Sequence, residues 1–173
     1  MEFTFETVYD QKAMKAMANA LRKTVRKKRS RRSHIWGLIV CILGLLLTLI
    51  PGENGLVINF KTILTWIIIG VMIVVLIWED AINGYIAGKR MLKGTEASTT
   101  IFNEEGYVST TEFGKTEWNY EKISELAEND KFFVFIFSMS HAQVYDKGKL
   151  SGGTIEEFRT FIQRKTNKQI SMI

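Results

Sequence analysis

The spacing of apolar side chains changes several times along the chain, and each change marks an element. In "MEFTFETVYD" Phe3 and Phe5 alternate with Glu2, Thr4 and Glu6, the two-residue period of a strand buried on one face; residues 1–9 are assigned to it. From Asp10 the period lengthens. Met14, Met17, Leu21 and Val25 recur every three or four residues, which predicts an amphipathic helix over 10–33 with a packing seam and a basic opposite face. No Pro or Gly interrupts residues 10–36, so this helix is expected to run directly into the next segment. That segment has no polar stripe: Ile35–Ile50 is almost wholly apolar and stops at Pro51-Gly52, and a second run, Thr62–Trp78, contains "WIIIGVMIVVLIW". As helices, 34–51 and 62–78 each rise about 25–30 Å, close to the thickness of bilayer hydrocarbon.

Two helices that are apolar all round need a large apolar partner. A chain of 173 residues has too little left to wrap them, so the pair is read as a transmembrane hairpin closed by a short extracytoplasmic loop, 52–61. Trp36, Trp66 and Trp78 fall near the run ends, where indole rings favour the headgroup layer, and Lys61 can snorkel to the same interface. The first run follows thirty-three residues and ends in Pro-Gly instead of a small-x-small site, unlike a signal peptide.

Charge fixes the expected orientation. Eight of the eleven residues from Arg22 to Arg32 are Lys or Arg, and the next formal charge is Glu53. The net +5 divides into +7 over residues 1–33, zero over 34–78 and −2 over 79–173, so the positive charge is local. The positive-inside rule then places both termini in the cytoplasm. Arg22, Lys23, Arg26, Lys27, Lys28, Arg29, Arg31 and Arg32 are assigned to that orientation and to anionic-lipid contact, each cation contributing roughly 1 kcal/mol near the surface. No aromatic residue interleaves with them, which disfavours nucleic acid as a partner. Glu79 and Asp80, just past the second run, are placed to pair with this basic collar.

Helical spacing resumes at Ile82, Tyr85, Ile86 and Leu92, giving a helix extension over 79–94 with Gly94 as its cap. Residues 95–173 read as short strands separated by turns at Asn103–Gly106, Phe113-Gly114, Glu128–Asp130 and Asp146–Gly148. Lys131–Met139 is the most apolar and is expected in the middle of the sheet. Thr154 and Glu157 form a capping-box signature before a helix whose Ile155, Phe158, Phe161 and Ile162 share one face. The class is therefore α+β: a transmembrane hairpin plus a small antiparallel sheet closed by a C-terminal helix.

The order of Phe-alternating strand, basic helix, two-span hairpin and strand-rich region, with Gly106 in a hairpin, Trp118 followed by Ile123, Phe132-Phe133 in a strand and Glu157-Phe158 in a helix, resembles the YcxB-like family of small bacterial membrane proteins. The resemblance covers most of the chain. It implies a pleckstrin-homology-like (PH-like) domain whose sheet the N-terminal strand joins across the membrane insertion, and it brings no functional residue with it. The Gly-rich "KGKLSGG" at Lys147–Gly153 departs from the pattern and leaves the last strand open.

Candidate chemistry is sparse. His141 and Asp146 have the H-x4-D spacing of glycerolipid acyltransferases, a two-residue match without phosphate-binding blocks. "GYIAGK" at Gly84–Lys89 is one residue short of a P-loop and continues with Arg90 where Ser or Thr should stand. Two His and one Cys are too dispersed for a metal site, and Cys41 sits alone in an apolar run. No cofactor is expected. Neither apolar run, Ile35–Ile50 or Ile63–Trp78, carries an Asp, Glu, Lys, Arg or His, which disfavours an ion pathway. The expected function is a non-enzymatic membrane protein whose cytoplasmic domain binds a protein partner or its own copy, in an immunity, stress-response or signalling role. The alternatives are a lipid-metabolism enzyme using His141 and Asp146, and an anionic-lipid or nucleic-acid sensor acting through the basic helix.

Overall fold

Phe3 and Phe5 enter the core at the start of the chain because β1 (Phe3–Val8) pairs with a strand that comes after both apolar runs. In the computed structural model, which describes residues 2–50 and 58–173, β1 runs antiparallel to β2 (Ala97–Phe102), with Phe3 opposite Phe102 and Val8 opposite Ala97. The chain forms two units, one comprising Met1–Lys27 with Asp80–Ile173 and the other Lys28–Glu79. The Pro51-Gly52 stop and most of the loop expected at 52–61 lie outside the described residues.

The first unit holds two sheets where the sequence suggested one. In the five-stranded sheet, β3 (Tyr107–Thr111) and β4 (Gly114–Trp118) continue from β2, and the two-residue β8 (Leu150–Ser151) borders β1, in the order β4-β3-β2-β1-β8. The second sheet has the order β7-β6-β5-β9, built from β5 (Glu125–Glu128), β6 (Phe132–Ile136), β7 (Ala142–Asp146) and β9 (Ile170–Met172). It is mixed, because β9 lies parallel to β5 with Ile170 opposite Leu126. The strand β6 is buried at all five positions for a simple reason. Phe133 and Phe135 face an aromatic core with Phe3, Phe5, Phe102, Tyr145 and Phe158, while Phe132, Val134 and Ile136 pack with Ala13, Ala16, Ala20 and Leu21 of α1 (Gln11–Lys23). A strand covered on both faces reads as a continuous apolar run.

Two helix boundaries differ from the sequence reading. The helix expected over 10–33 ends at Lys23, and a separate α2 (Lys27–Thr48) carries the remaining cations into the apolar run. Thr24 causes the break: its hydroxyl and its backbone N–H both donate to the Ala20 carbonyl, the back-bonding that bends or stops helices without Pro or Gly. The extension expected over 79–94 is α4 (Glu79–Lys89), and Gly94 lies beyond it, in the turn leading to β2, at φ +88°. The C-terminal α5 (Ile155–Thr166) carries the expected capping box and buries Phe158, Phe161 and Ile162. "KGKLSGG" forms a short 3₁₀ turn, β8 and a tight bend; Gly152 sits at φ +88°, where a Cβ would come 2.3 Å from the Glu2 carbonyl oxygen.

The second unit contains α2 and α3 (Phe60–Ile77), both long and apolar enough to cross a membrane. They pack antiparallel: Gly37 lies against Leu76 and Gly44 against Ile69 and Thr65. Most of their large apolar side chains stay exposed, from Ile39 at 39% to Phe60 at 78%. Leaving such side chains in water forgoes roughly 1.5–3 kcal/mol each, so this surface suits an apolar surrounding.

One buried ionic trio ties the first unit together. The Glu128 carboxylate lies 2.6 Å from Lys147 Nζ and 2.9 Å from Arg159 Nε, with Glu128 and Lys147 both buried. Burial alone would raise the Glu128 pKa, but hydrogen bonds from Arg159 and Lys147 outweigh it and hold the group below the usual carboxylate range. Glu128→Gln should therefore destabilise the fold by about 3–5 kcal/mol by leaving Lys147 buried without its counter-charge, measurable by thermal unfolding in detergent. Because the folded pKa is lowered, the wild-type contribution is complete above the ordinary glutamate value of about 4.3 and disappears as pH falls through the lowered one. The stability gap between wild type and variant should narrow in the same window.

Candidate functional site

The region where the chain departs for α2 and returns from α3 concentrates the polar contacts of the helices. Asp80, at the start of α4, is buried and receives both Arg22 Nε and Nη2 at 2.7 Å, with Asn19 Nδ2 also at 2.7 Å. This is a bidentate charge-assisted pair, the strongest kind available to a carboxylate. It is made possible by a close helix crossing. At Gly84 a Cβ would lie 2.8 Å from Lys15 N and 2.9 Å from the Met14 carbonyl carbon, so only glycine lets α4 meet the α1 backbone. The "GYIAGK" glycines thus have a packing role, and Gly88 also faces Met14. Gly84 and Gly88, four residues apart, are the small-xxx-small signal that sequence inspection could have used.

The basic collar divides by role. Arg22 is engaged with Asp80, and Arg26 donates to the Met139 carbonyl in the β6–β7 turn. Lys23, Lys27, Lys28, Arg29, Arg31 and Arg32 are exposed. Of the two acids expected to pair with this collar, only Asp80 meets one of its cations among the described residues. Within the second unit, Glu79 accepts from Ser30 Oγ at 3.3 Å and lies 3.0 Å from His34 Nε2. Trp36 and Trp78 are 62% and 53% exposed, Lys61 is exposed, and Trp66 donates its indole N–H to Thr48 Oγ1 at 3.3 Å.

His141 and Asp146 do not form a dyad. His141 immediately precedes β7 and Asp146 is its last residue, five positions on, about 17 Å in extended chain. The His141 ring stacks on Trp118 at 5.7 Å and meets Phe137 edge-on at 5.1 Å. Asp146 Oδ1 accepts from Gly148 N, and its other oxygen lies 3.5 Å from Lys131 Nζ. Among the described residues no three His, Cys, Asp or Glu side chains gather as metal ligands.

A cleft of about 410 Å³ lies where the β2–β3 turn meets the start of β3 and the end of β4, lined by Asn103, Glu105, Tyr107, Glu117, Trp118 and Asn119 among others. Glu105 and Glu117 are exposed, and their carboxylates have no ion-pair partner among the described residues. The indole Nε1 of Trp118 is buried without a hydrogen-bond partner among those residues. Tyr107 belongs to the floor: its hydroxyl and that of Tyr145 both donate to Gln143 Oε1, at 3.2 and 2.6 Å. Burial pushes both phenols well above their ordinary pKa, so they stay protonated donors. Two carboxylates beside an aromatic wall suit a cationic group.

No family model, curated protein or solved structure matches this chain.

The helix crossing has a sign that can be measured. In an open helix, Gly→Ala stabilises by about 1 kcal/mol. Gly70 has nothing within 4 Å of its Cβ direction, so Gly70→Ala should follow that rule. Gly84→Ala should instead lower stability by about 1–3 kcal/mol, because backbone atoms must move apart. Equal effects of the two substitutions on thermal unfolding would contradict the close crossing.

Proposed function

We propose that this chain is a non-enzymatic recognition protein of the bacterial inner membrane, YcxB-like in organisation, whose cytoplasmic PH-like domain holds an extended, basic segment of a partner protein. The observation that carries the reading is the free edge of β4. That strand has one neighbour, β3, and is exposed along most of its length. The two-residue turn between Thr111 and Gly114 fixes the pairing, so Lys115 and Glu117 alternate with the ladder-bonded positions and present their backbone groups to the open side. A strand added there gains main-chain hydrogen bonds, and the adjacent Glu105 and Glu117 select a cationic side chain. An immunity, stress-response or signalling adaptor role is compatible with such a module.

The membrane part of the reading draws on connectivity. The first unit is assembled from chain on both sides of the two apolar helices, so both flanks share one aqueous side. The exposed cations from Lys23 to Arg32 mark that side as cytoplasmic and favour anionic lipid.

Two measurements test these parts separately. With Cys41 replaced by Ser, single cysteines at Glu6 and Lys168 should resist a membrane-impermeant maleimide in intact cells and react after lysis; labelling of either in intact cells would reject the orientation. Lys115→Pro removes one outward N–H from the β4 edge and should abolish in-cell crosslinking of a partner, leaving thermal unfolding unchanged. The Glu105→Gln and Glu117→Gln pair should weaken the same capture about tenfold. Partner capture indifferent to all three substitutions would reject the β4 edge.

A further inference from the structure

A second groove lies on the opposite kind of chemistry. Along α1, Lys12, Lys15 and Lys23 follow one another with Ala16 and Asn19 at helical spacing, and the β5–β6 turn, Asn129–Lys131, forms the facing wall. Together they enclose about 410 Å³, the size of a small-ligand site, with the apolar atoms of Ala16 and Phe132 among its lining. Lys12, Lys15 and Lys23 are exposed and have no ion-pair partner among the described residues. Lys131 adds a fourth ammonium from the other wall, over the Phe132 ring at 5.1 Å and 3.5 Å from Asp146. Asp130 is the single acidic side chain of the lining.

The arrangement is not explained by stability. Neighbouring like charges repel, and each ammonium could equally point into bulk water from an ordinary solvated helix face. The α1 face that packs on β6 and β7 is made of Ala13, Ala16, Ala20 and Leu21, so these lysines are dispensable to the core. What the groove offers is four lysines bordering one space whose lining is in part apolar. Ammonium groups suit a compact polyanion with several acceptor oxygens, and phosphate fits that description better than a single carboxylate. We propose that the groove formed by Lys12, Lys15, Lys23 and Lys131 between α1 and the β5–β6 turn is a binding site for a phosphate-bearing anion, either a lipid headgroup or a free phosphorylated small molecule.

The groove is separate from the β4 cleft in residues and in charge, so the two proposals stand or fall independently. The test uses the full chain in nanodiscs, with inorganic pyrophosphate as the soluble probe and phosphatidylglycerol as the lipid probe. Amine acetylation read by mass spectrometry reports the accessibility of each lysine. In discs of zwitterionic lipid, pyrophosphate should slow acetylation of Lys12, Lys15 and Lys23 at least threefold and leave Lys115 on β4 unchanged. If the natural source is a headgroup, phosphatidylglycerol discs without pyrophosphate give the same protection; if it is a soluble metabolite, only pyrophosphate does. Lys12→Gln with Lys15→Gln should raise the pyrophosphate Kd at least tenfold, and Lys131→Gln should raise it from the other wall, while Lys115→Gln should not. Circular dichroism of the variants confirms that these surface changes leave the fold intact. Failure of both probes to protect the three lysines beyond Lys115, or equal loss of affinity in Lys115→Gln, would overturn the site.

Discussion

The antiparallel pairing of β1 with β2 is the constraint from which the rest of the structure follows. Phe3 and Phe5 are completely buried, and they contact Phe102, Phe133, Tyr145, Phe158 and Phe161 at ring separations between 4.7 and 6.3 Å. Aromatic contacts of this kind add to the burial of large apolar area. Without β1 the five-stranded sheet would lose the strand between β2 and β8, and the aromatic core would lose two of its rings. Because β1 precedes the apolar helices and β2 follows them, the first unit closes only if the chain leaves it and comes back at neighbouring points. The Arg22–Asp80 pair and the Gly84 crossing are the local means by which it does so.

That closure shapes what the molecule can do. The first unit is built from chain on both sides of the two apolar helices. The remaining surface then carries two features of opposite sign: an acidic, aromatic cleft at the end of β4, and a lysine-lined groove under α1. The one pair of residues with the spacing of a catalytic dyad, His141 and Asp146, is held apart by the length of β7, His141 just before the strand and Asp146 at its end. A spacing motif carries chemistry only when the local backbone brings its members to one face.

Much of the architecture was legible in the sequence because local pattern and tertiary outcome agree. The alternation of Phe3 and Phe5, the seam of α1, the apolar runs, the turn at Asn103–Gly106 and the capping box at Thr154 each report a burial pattern or a backbone bond satisfied within a few residues. The stop at Thr24 was not visible, since a threonine hydroxyl bonding to Ala20 is one of several conformations open to it. The second sheet was hidden for another reason: β9 pairs in parallel with β5, a contact between residues more than forty positions apart. Sequence periodicity records which face is buried and is silent on which partner buries it.

The chain's own order of side chains therefore determined its element types, the two apolar helices, the local charge and the faces that seek cover, because these depend on neighbours within a turn or a strand. Only the tertiary structure decided that Arg22 serves Asp80 instead of solvent, that Gly84 is a contact point, and that Lys131 joins Lys12, Lys15 and Lys23 around one groove. Those outcomes need groups distant in sequence to arrive within a few ångströms, and the approach is set by the packing of whole elements. The two sites divide along the same line: the cleft is lined within the single stretch Asn103–Asn119, whereas the groove joins α1 to the β5–β6 turn, residues more than a hundred positions apart.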